Sequence, residues 1–111
     1  MQMSSDSRHL KLKVIWRPKF LGLAIDQLIV INSYSCFCRP LTTYYFWPKS
    51  GVWEQLKLEL DSAMWLTEKE KIRYLNLVSD IINEWQKYKD IGKIEDIKKK
   101  FSEVSFLELR E

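Results

Sequence analysis

Between Pro40 and Pro48 the chain sets four consecutive aromatic residues, Tyr44-Tyr45-Phe46-Trp47, closed at each end by a proline. Each proline lacks a backbone donor and pushes the residue before it toward extended geometry, so the run is an extended segment and not a helix. Lys49-Ser50-Gly51 is turn chemistry, Ser50 offers an N-cap, and a helical pattern starts at about Gly51. Aromatic side chains bury about 150–250 Å² each, so four in succession must be covered either by the chain's own core or by a partner. Core packing suits a proline-bounded segment beside amphipathic helices. Stacking of nucleic-acid bases on Tyr44, Tyr45 or Trp47 is the other outcome.

Upstream, Leu10, Leu12, Val14 and Trp16 alternate with Lys11, Lys13 and Arg17, with only Ile15 breaking the rule, and this predicts a half-buried strand. Pro18 ends it in a turn. The run from Phe20 to Ile31 is apolar on both faces and rich in β-branched residues, as a strand covered on both sides would be. It is interrupted by Asp26 and Gln27 and is too short to span a bilayer. The two strands read as a hairpin, Asn32 to Arg39 as a loop, and Pro40 to Pro48 as a third extended segment beside them. A first helix over Gly51 to Ala63 places Trp53, Leu56, Leu60 and Ala63 on one stripe, with Leu58 off it. A second opens on the capping box Thr67 and Glu70, carries Ile72, Leu75, Val78, Ile82 and Trp85 inward with Tyr74, Ile81 and Tyr88 at the margins, and ends at Gly92. Ile94 to Lys100 reads as a short amphipathic helix, and Ser105 to Arg110 as an extended or frayed tail.

The expected fold is therefore α+β. A small antiparallel sheet of two to three strands is followed by two amphipathic helices packed on one face and a short C-terminal helix. Residues 10–101 would form the single domain, between a mobile N-terminal tail (1–9) and a C-terminal tail (102–111). A length of 111 residues with 46% hydrophobic and 30% charged side chains fits one folded domain.

Catalytic constellations are missing from this pattern. His9, the single histidine, sits at the edge of the tail. Asp26, alone in an apolar run, could be a base with a raised pKa, or could join Gln27 in hydrogen bonds that fix the sheet against the aromatic segment. Cys36 and Cys38 exclude a disulfide framework, suit a reducing compartment and fall short of the four ligands of a closed zinc site. Three isolated glycines make no phosphate loop. No enzyme, cofactor, metal, membrane or small-molecule substrate follows.

Charge is the remaining signal. The net value is only +3, but its distribution is uneven. Lys11, Lys13 and Arg17 share a strand face without an intervening carboxylate, with Lys19 just beyond. Lys98, Lys99 and Lys100, with Lys87, Lys89 and Lys93 before them, are mixed with Asp90, Glu95 and Asp96. Both groups could meet phosphates, the strand group foremost, although lysines on a solvated face also serve solubility alone.

The segment Pro40-Leu41-Thr42-Thr43-Tyr44-Tyr45-Phe46-Trp47-Pro48, followed by Trp53-Glu54-Gln55-Leu56-Lys57, resembles the plastid-specific ribosomal protein 3 family of the chloroplast and cyanobacterial small ribosomal subunit. Leu12-Lys13-Val14-Ile15-Trp16, Leu23-Ala24-Ile25-Asp26-Gln27 and the stretch from Trp65 to Asn83 up to Trp85-Gln86 agree in order, so the likeness spans about Leu10 to Lys89. It implies a structural protein of the 30S subunit that contacts 16S ribosomal RNA and neighbouring small-subunit proteins. It also makes Trp16, Asp26, Gln27, Tyr45, Phe46, Trp47, Trp53 and Trp85 signature or core residues. The N-terminus has neither a signal peptide nor a long transit stretch, as expected of a plastid-encoded or cyanobacterial member. The link from Asn32 to Arg39 departs from the family, where more glycine is expected. The alternative from another class is a ribosome-associated binding or regulatory module that docks a partner through the aromatic segment.

Overall fold

The computed structural model describes residues 8–49, 51–88 and 94–107. Ser50 and residues 89–93 (Lys89, Asp90, Gly92 and Lys93 among them), together with the terminal segments 1–7 and 108–111, lie outside the described residues. β1 (Arg8–Trp16) and β2 (Leu21–Asn32) form an antiparallel hairpin that pairs Leu12 with Ile25, Val14 with Leu23 and Trp16 with Leu21. Pro18 and Lys19 make its tip, where the Arg17 N–H donates to the Phe20 carbonyl at 3.1 Å. The other edge of β2 carries two strands in succession. β3 (Ser35–Pro40) pairs with Asp26–Asn32, and β4 (Tyr45–Trp47) with Leu21–Leu23.

Thr42 bridges the interruption between β3 and β4. Both the Leu41 and Thr42 N–H groups donate to the Ile25 carbonyl at 3.0 Å, and the buried Thr42 hydroxyl accepts the Ile25 N–H at 3.0 Å. A side-chain oxygen thus replaces a ladder carbonyl just past Pro40, and no buried backbone donor of Ile25 is stranded. β5 (Ser105–Leu107) lies parallel to β1 on the far edge, with Val14 opposite Phe106.

The expected small antiparallel sheet of two to three strands is overturned: the sheet has five strands and is mixed, in the order β3-β2-β1-β5 with β4 also on β2. The segment read as a loop, Asn32 to Arg39, holds the end of β2 and all of β3 but Pro40. Every residue of β3 is exposed, so the strand has no buried face to print an alternating pattern. β5 is three residues long and pairs with the opposite end of the chain, and so gives no local signal.

α1 (Val52–Ser62), α2 (Glu68–Tyr88) and α3 (Ile94–Lys100) cover one face of the sheet. Leu12, Val14, Leu21, Leu23 and Ile25 from the strands meet Val52, Leu56, Leu60, Val78 and Ile81 in a fully buried centre, closed at one side by Ile97, Phe101 and Val104. Ile72, expected on the inward stripe, is 56% exposed. The buried arc of α2 runs through Leu75, Leu77, Val78, Ile81, Ile82 and Trp85, and at 3.6 residues per turn Ile72 projects from its far flank.

Hydrogen bonds from aromatic tips fix the layers. Trp85 Nε1 donates to the Arg17 carbonyl at 2.7 Å, the Tyr74 hydroxyl to the Leu10 carbonyl at 3.0 Å, the Tyr45 hydroxyl to Glu59 at 2.8 Å, and Trp53 Nε1 to the Leu75 carbonyl at 3.3 Å. The start of α2 is set by a reciprocal pair: Thr67 Oγ1 accepts the Glu70 N–H at 3.1 Å while Glu70 Oε1 accepts the Thr67 N–H at 3.3 Å. Removing this cap in Thr67→Ala should cost about 1 kcal/mol in denaturant unfolding, and Thr67→Asp, which keeps an acceptor and adds negative charge at the helix start, should cost little.

Two phenols titrate above the ordinary tyrosine range. Tyr45 is raised because its hydrogen bond to Glu59 requires the proton, and Tyr74 because burial disfavours the phenolate. A folded-state pKa above the unfolded one gives stability that is fully present below about pH 10 and lost as pH rises through the folded value. The unfolding midpoint should therefore fall above about pH 10, with a shallower fall in the double variant Tyr45→Phe with Tyr74→Phe.

Candidate functional site

The helices leave the second face of the sheet open. Strand alternation assigns Lys11, Lys13 and Ile15 of β1, Gly22, Ala24 and Asp26 of β2, and Phe46 of β4 to this face. The aromatic segment is thereby divided. Tyr45 and Trp47 turn inward against the core, whereas Tyr44 and Phe46 line the open face, their rings near parallel with centroids 6.3 Å apart. Phe20, from the hairpin turn, meets Phe46 edge-on at 5.5 Å. Gly22 is the reason this row can lie down on the sheet. A β-carbon there would stand 2.8 Å from Phe46 Cε1 and 3.2 Å from Ile15 Cβ. Ile15, the break in the alternating pattern of β1, is buried on this face beside Gly22.

The charges follow the same geometry. Lys13 Nζ lies 2.8 Å from Asp26 Oδ1 and 5.1 Å from the centroid of Tyr44. The ammonium meets Oδ1 as an ion pair without hydrogen-bond direction, so this buried oxygen has a counter-charge but no aligned donor. The expectation that the strand cations share a face without an intervening carboxylate is thus corrected: Asp26, directly opposite Lys11 in register, partly neutralises the row. A turn of two residues in the hairpin is what aligns position 26 with positions 11 and 13. Lys11 is half-exposed, and Arg17 and Lys19 stand at the turn. Lys49, absent from the sequence-based candidates, joins Lys19, Phe20, Phe46, Trp47 and Pro48 around a cleft of about 450 Å³. Its signal in the sequence was its place directly after the proline that closes the aromatic run.

The second lysine group lies on the helix side. Lys100 Nζ is 2.6 Å from Glu84, which raises its pKa, and Lys98 Nζ is 4.0 Å from Glu95, while Lys99 is exposed. Of the remaining signature residues, Trp85 is buried, and Trp16 and Trp53 are half-buried against the core. Gln27 is half-buried opposite Leu10. Among the described residues no three His, Cys, Asp or Glu side chains gather as a metal site, and Cys36 and Cys38 are exposed free thiols on β3.

A sheet closed by helices on one side presents lysines, aromatic rings and one ion-paired carboxylate on the other, and this face is the candidate contact surface. The chain belongs to the family of plastid and cyanobacterial ribosomal proteins (PSRP-3 / Ycf65), whose model matches residues 41–88, from the Thr42 bridge through α2. It is 38% identical over 95 residues to the small ribosomal subunit protein cS23 of Gracilaria tenuistipitata var. liui, covering 86% of this chain and 91% of that one. Against the protein of the same name from Cyanidium caldarium it is 44% identical over 79 residues, 71% of this chain and 73% of the relative. The probable small ribosomal subunit protein cS23 of Synechococcus sp. (strain JA-3-3Ab) is 43% identical over 75 residues, 68% and 71% of the two chains. The family consists of ribosomal structural proteins, not enzymes.

Lys13→Gln should strand the Asp26 carboxylate and cost about 1–3 kcal/mol in chemical unfolding, the penalty of a buried polar group without its partner. Lys11→Gln should cost less than about 0.5 kcal/mol, as an ordinary surface change. Adding Asp26→Asn to Lys13→Gln should recover part of the loss, the coupling expected of side chains in contact.

Proposed function

We propose that this chain is a structural constituent of the small (30S) ribosomal subunit of a plastid or cyanobacterium, and that it holds 16S ribosomal RNA through the open sheet face and the β1–β2 turn, with neighbouring subunit proteins against other surfaces. The observation that supports the RNA contact is the row Tyr44, Phe46 and Phe20 flanked by Lys11, Lys13, Arg17, Lys19 and Lys49. Cations neutralise phosphates and fix register, and the exposed Phe46 with the half-buried Tyr44 and Phe20 offers π-faces to unpaired bases. Lys13 is the weakest member, because its charge is shared with Asp26. Lys98, Lys99 and Lys100 form a secondary contact, since Glu84 and Glu95 already engage two of them. Docking of a partner through the whole aromatic segment is disfavoured, since Tyr45 and Trp47 pack toward the chain's own core.

The test is the salt dependence of association with 30S particles stripped of this protein. Each phosphate contact contributes roughly 0.7–0.9 to the slope of log affinity against log salt. The triple variant Lys11→Gln, Lys19→Gln, Lys49→Gln should lower the slope by about 2–3, and Lys98→Gln, Lys99→Gln, Lys100→Gln together should lower it by less. A wild-type slope in the first variant would show that the open face does not meet RNA. Loss of the wild-type protein from 30S particles in a moderate salt wash would instead indicate a loosely attached regulator.

A further inference from the structure

The sheet is longer than the helical layer that covers it. On β2 the residues from Leu21 to Asp26 are buried, those from Gln27 to Ile29 are half-buried, and those from Val30 onward are exposed, as is all of β3. Beyond Ile29, where the pairing of β1 ends at Arg8, the β2–β3 hairpin therefore extends as a two-stranded arm, consistent with overall dimensions of 50 × 31 × 23 Å. Twelve consecutive residues, Gln27 to Cys38, contain no charged side chain in a protein that is 30% charged. A ribbon exposed on both faces normally carries charges to stay soluble and to guard its free edge. This one instead exposes Val30 (38%), Ile31 (61%), Phe37 (46%) and Tyr34 (96%). Its tip is ordered: Asn32 Oδ1 accepts the N–H groups of Tyr34 at 2.8 Å and Ser35 at 3.0 Å, which pins the turn and holds Tyr34 outward.

We infer that this arm is a protein-docking element, and that its occupant in the assembled subunit is an uncharged, apolar surface of a neighbouring small-subunit protein. The inference rests on the ribosomal reading given above and assigns to the arm a partner class different from that of the open face. Charge decides the class. RNA presents a phosphate on every nucleotide, and a surface with no cation from Gln27 to Cys38 would desolvate those phosphates without neutralising any. Arg39, paired with Gln27, and Arg8, the first residue of β1, paired with Ile29, belong to the arm's base and not to its two-stranded part. Tyrosine, phenylalanine and isoleucine without lysine or glutamate are instead the composition of a protein–protein interface core. The two ends of β2 then face different partners. At Leu21 the Arg17–Phe20 turn carries Arg17, Lys19 and the aromatic cleft, and at Asn32, about 36 Å away at 3.3 Å per residue, stands the uncharged tip.

Cys36 and Cys38, the only cysteines, are exposed on the arm and give the test. A maleimide–diazirine cross-linker attached to these thiols and photolysed in purified 30S subunits should yield an adduct with one small-subunit protein, mapped to an apolar segment of that protein. An adduct with ribosomal RNA, an adduct with a second copy of this chain, or no adduct overturns the inference. In stripped-particle rebinding, Ile31→Asp with Phe37→Asp should weaken association at least tenfold with an unchanged salt slope, because no phosphate contact is lost. Unchanged affinity overturns the docking role, and a reduced slope would show that the arm meets RNA. Should that double variant shift the unfolding midpoint, Tyr34→Ala, at a residue outside the core, carries the same readout with a smaller loss. Failure of the wild-type chain to enter 30S particles would overturn both this inference and the ribosomal assignment, whereas an RNA adduct from an incorporated chain would overturn this inference alone.

Discussion

The layers of this protein are held in register by the polar tips of aromatic side chains. Hydrophobic burial brings α2 onto the sheet, but burial is not directional and would tolerate sliding. Trp85 bonds to the Arg17 carbonyl at the end of β1 and Tyr74 to the Leu10 carbonyl near its start. The helix is fixed along β1 at two points, running in the same sense as the strand. β1 in turn is the strand flanked by β2 on one edge and β5 on the other. Positions on the open face, including the spacing of Lys11, Lys13 and the turn, follow from this alignment. Tyr45 does the same for β4 through Glu59 on α1, and so orients the aromatic segment.

That orientation creates the two-sided character of the sheet. In a three-residue strand, inward Tyr45 and Trp47 force Phe46 outward. An outward phenylalanine over a residue with a β-carbon would be lifted from the sheet, and Gly22 removes that obstacle. The open face is thus a consequence of how the core is closed. Asp26 belongs to the same logic: it occupies the outward phase of β2, so its carboxylate meets Lys13 rather than the hydrocarbon centre. An ion pair at this depth contributes little net stability, yet breaking it leaves a buried charge, and this favours retaining both partners.

Legibility in the sequence tracks burial. β1 was readable because one face is buried and the other is not, and the start of α2 because a capping box is a local pattern. β3 was missed because both of its faces are wet, and β5 because its partner lies at the other end of the chain. The aromatic run could be read as core or as a stacking surface; the structure divides it between the core and the open face, and the period of two in a strand already contained that division. The Lys13–Asp26 pair was within reach too, since a hairpin with Pro18 and Lys19 at its tip sets residue 26 opposite residue 11.

The modest net charge of +3 gains meaning from this architecture. Were all binding carried by phosphate contacts, affinity would fall steeply with salt, with each contact adding to the slope. In the assembly proposed above, a few cations at one end of β2 and an uncharged apolar ribbon at the other would divide the task. The first would respond to ionic strength and steer association, and the second would be nearly indifferent to salt and act through buried area.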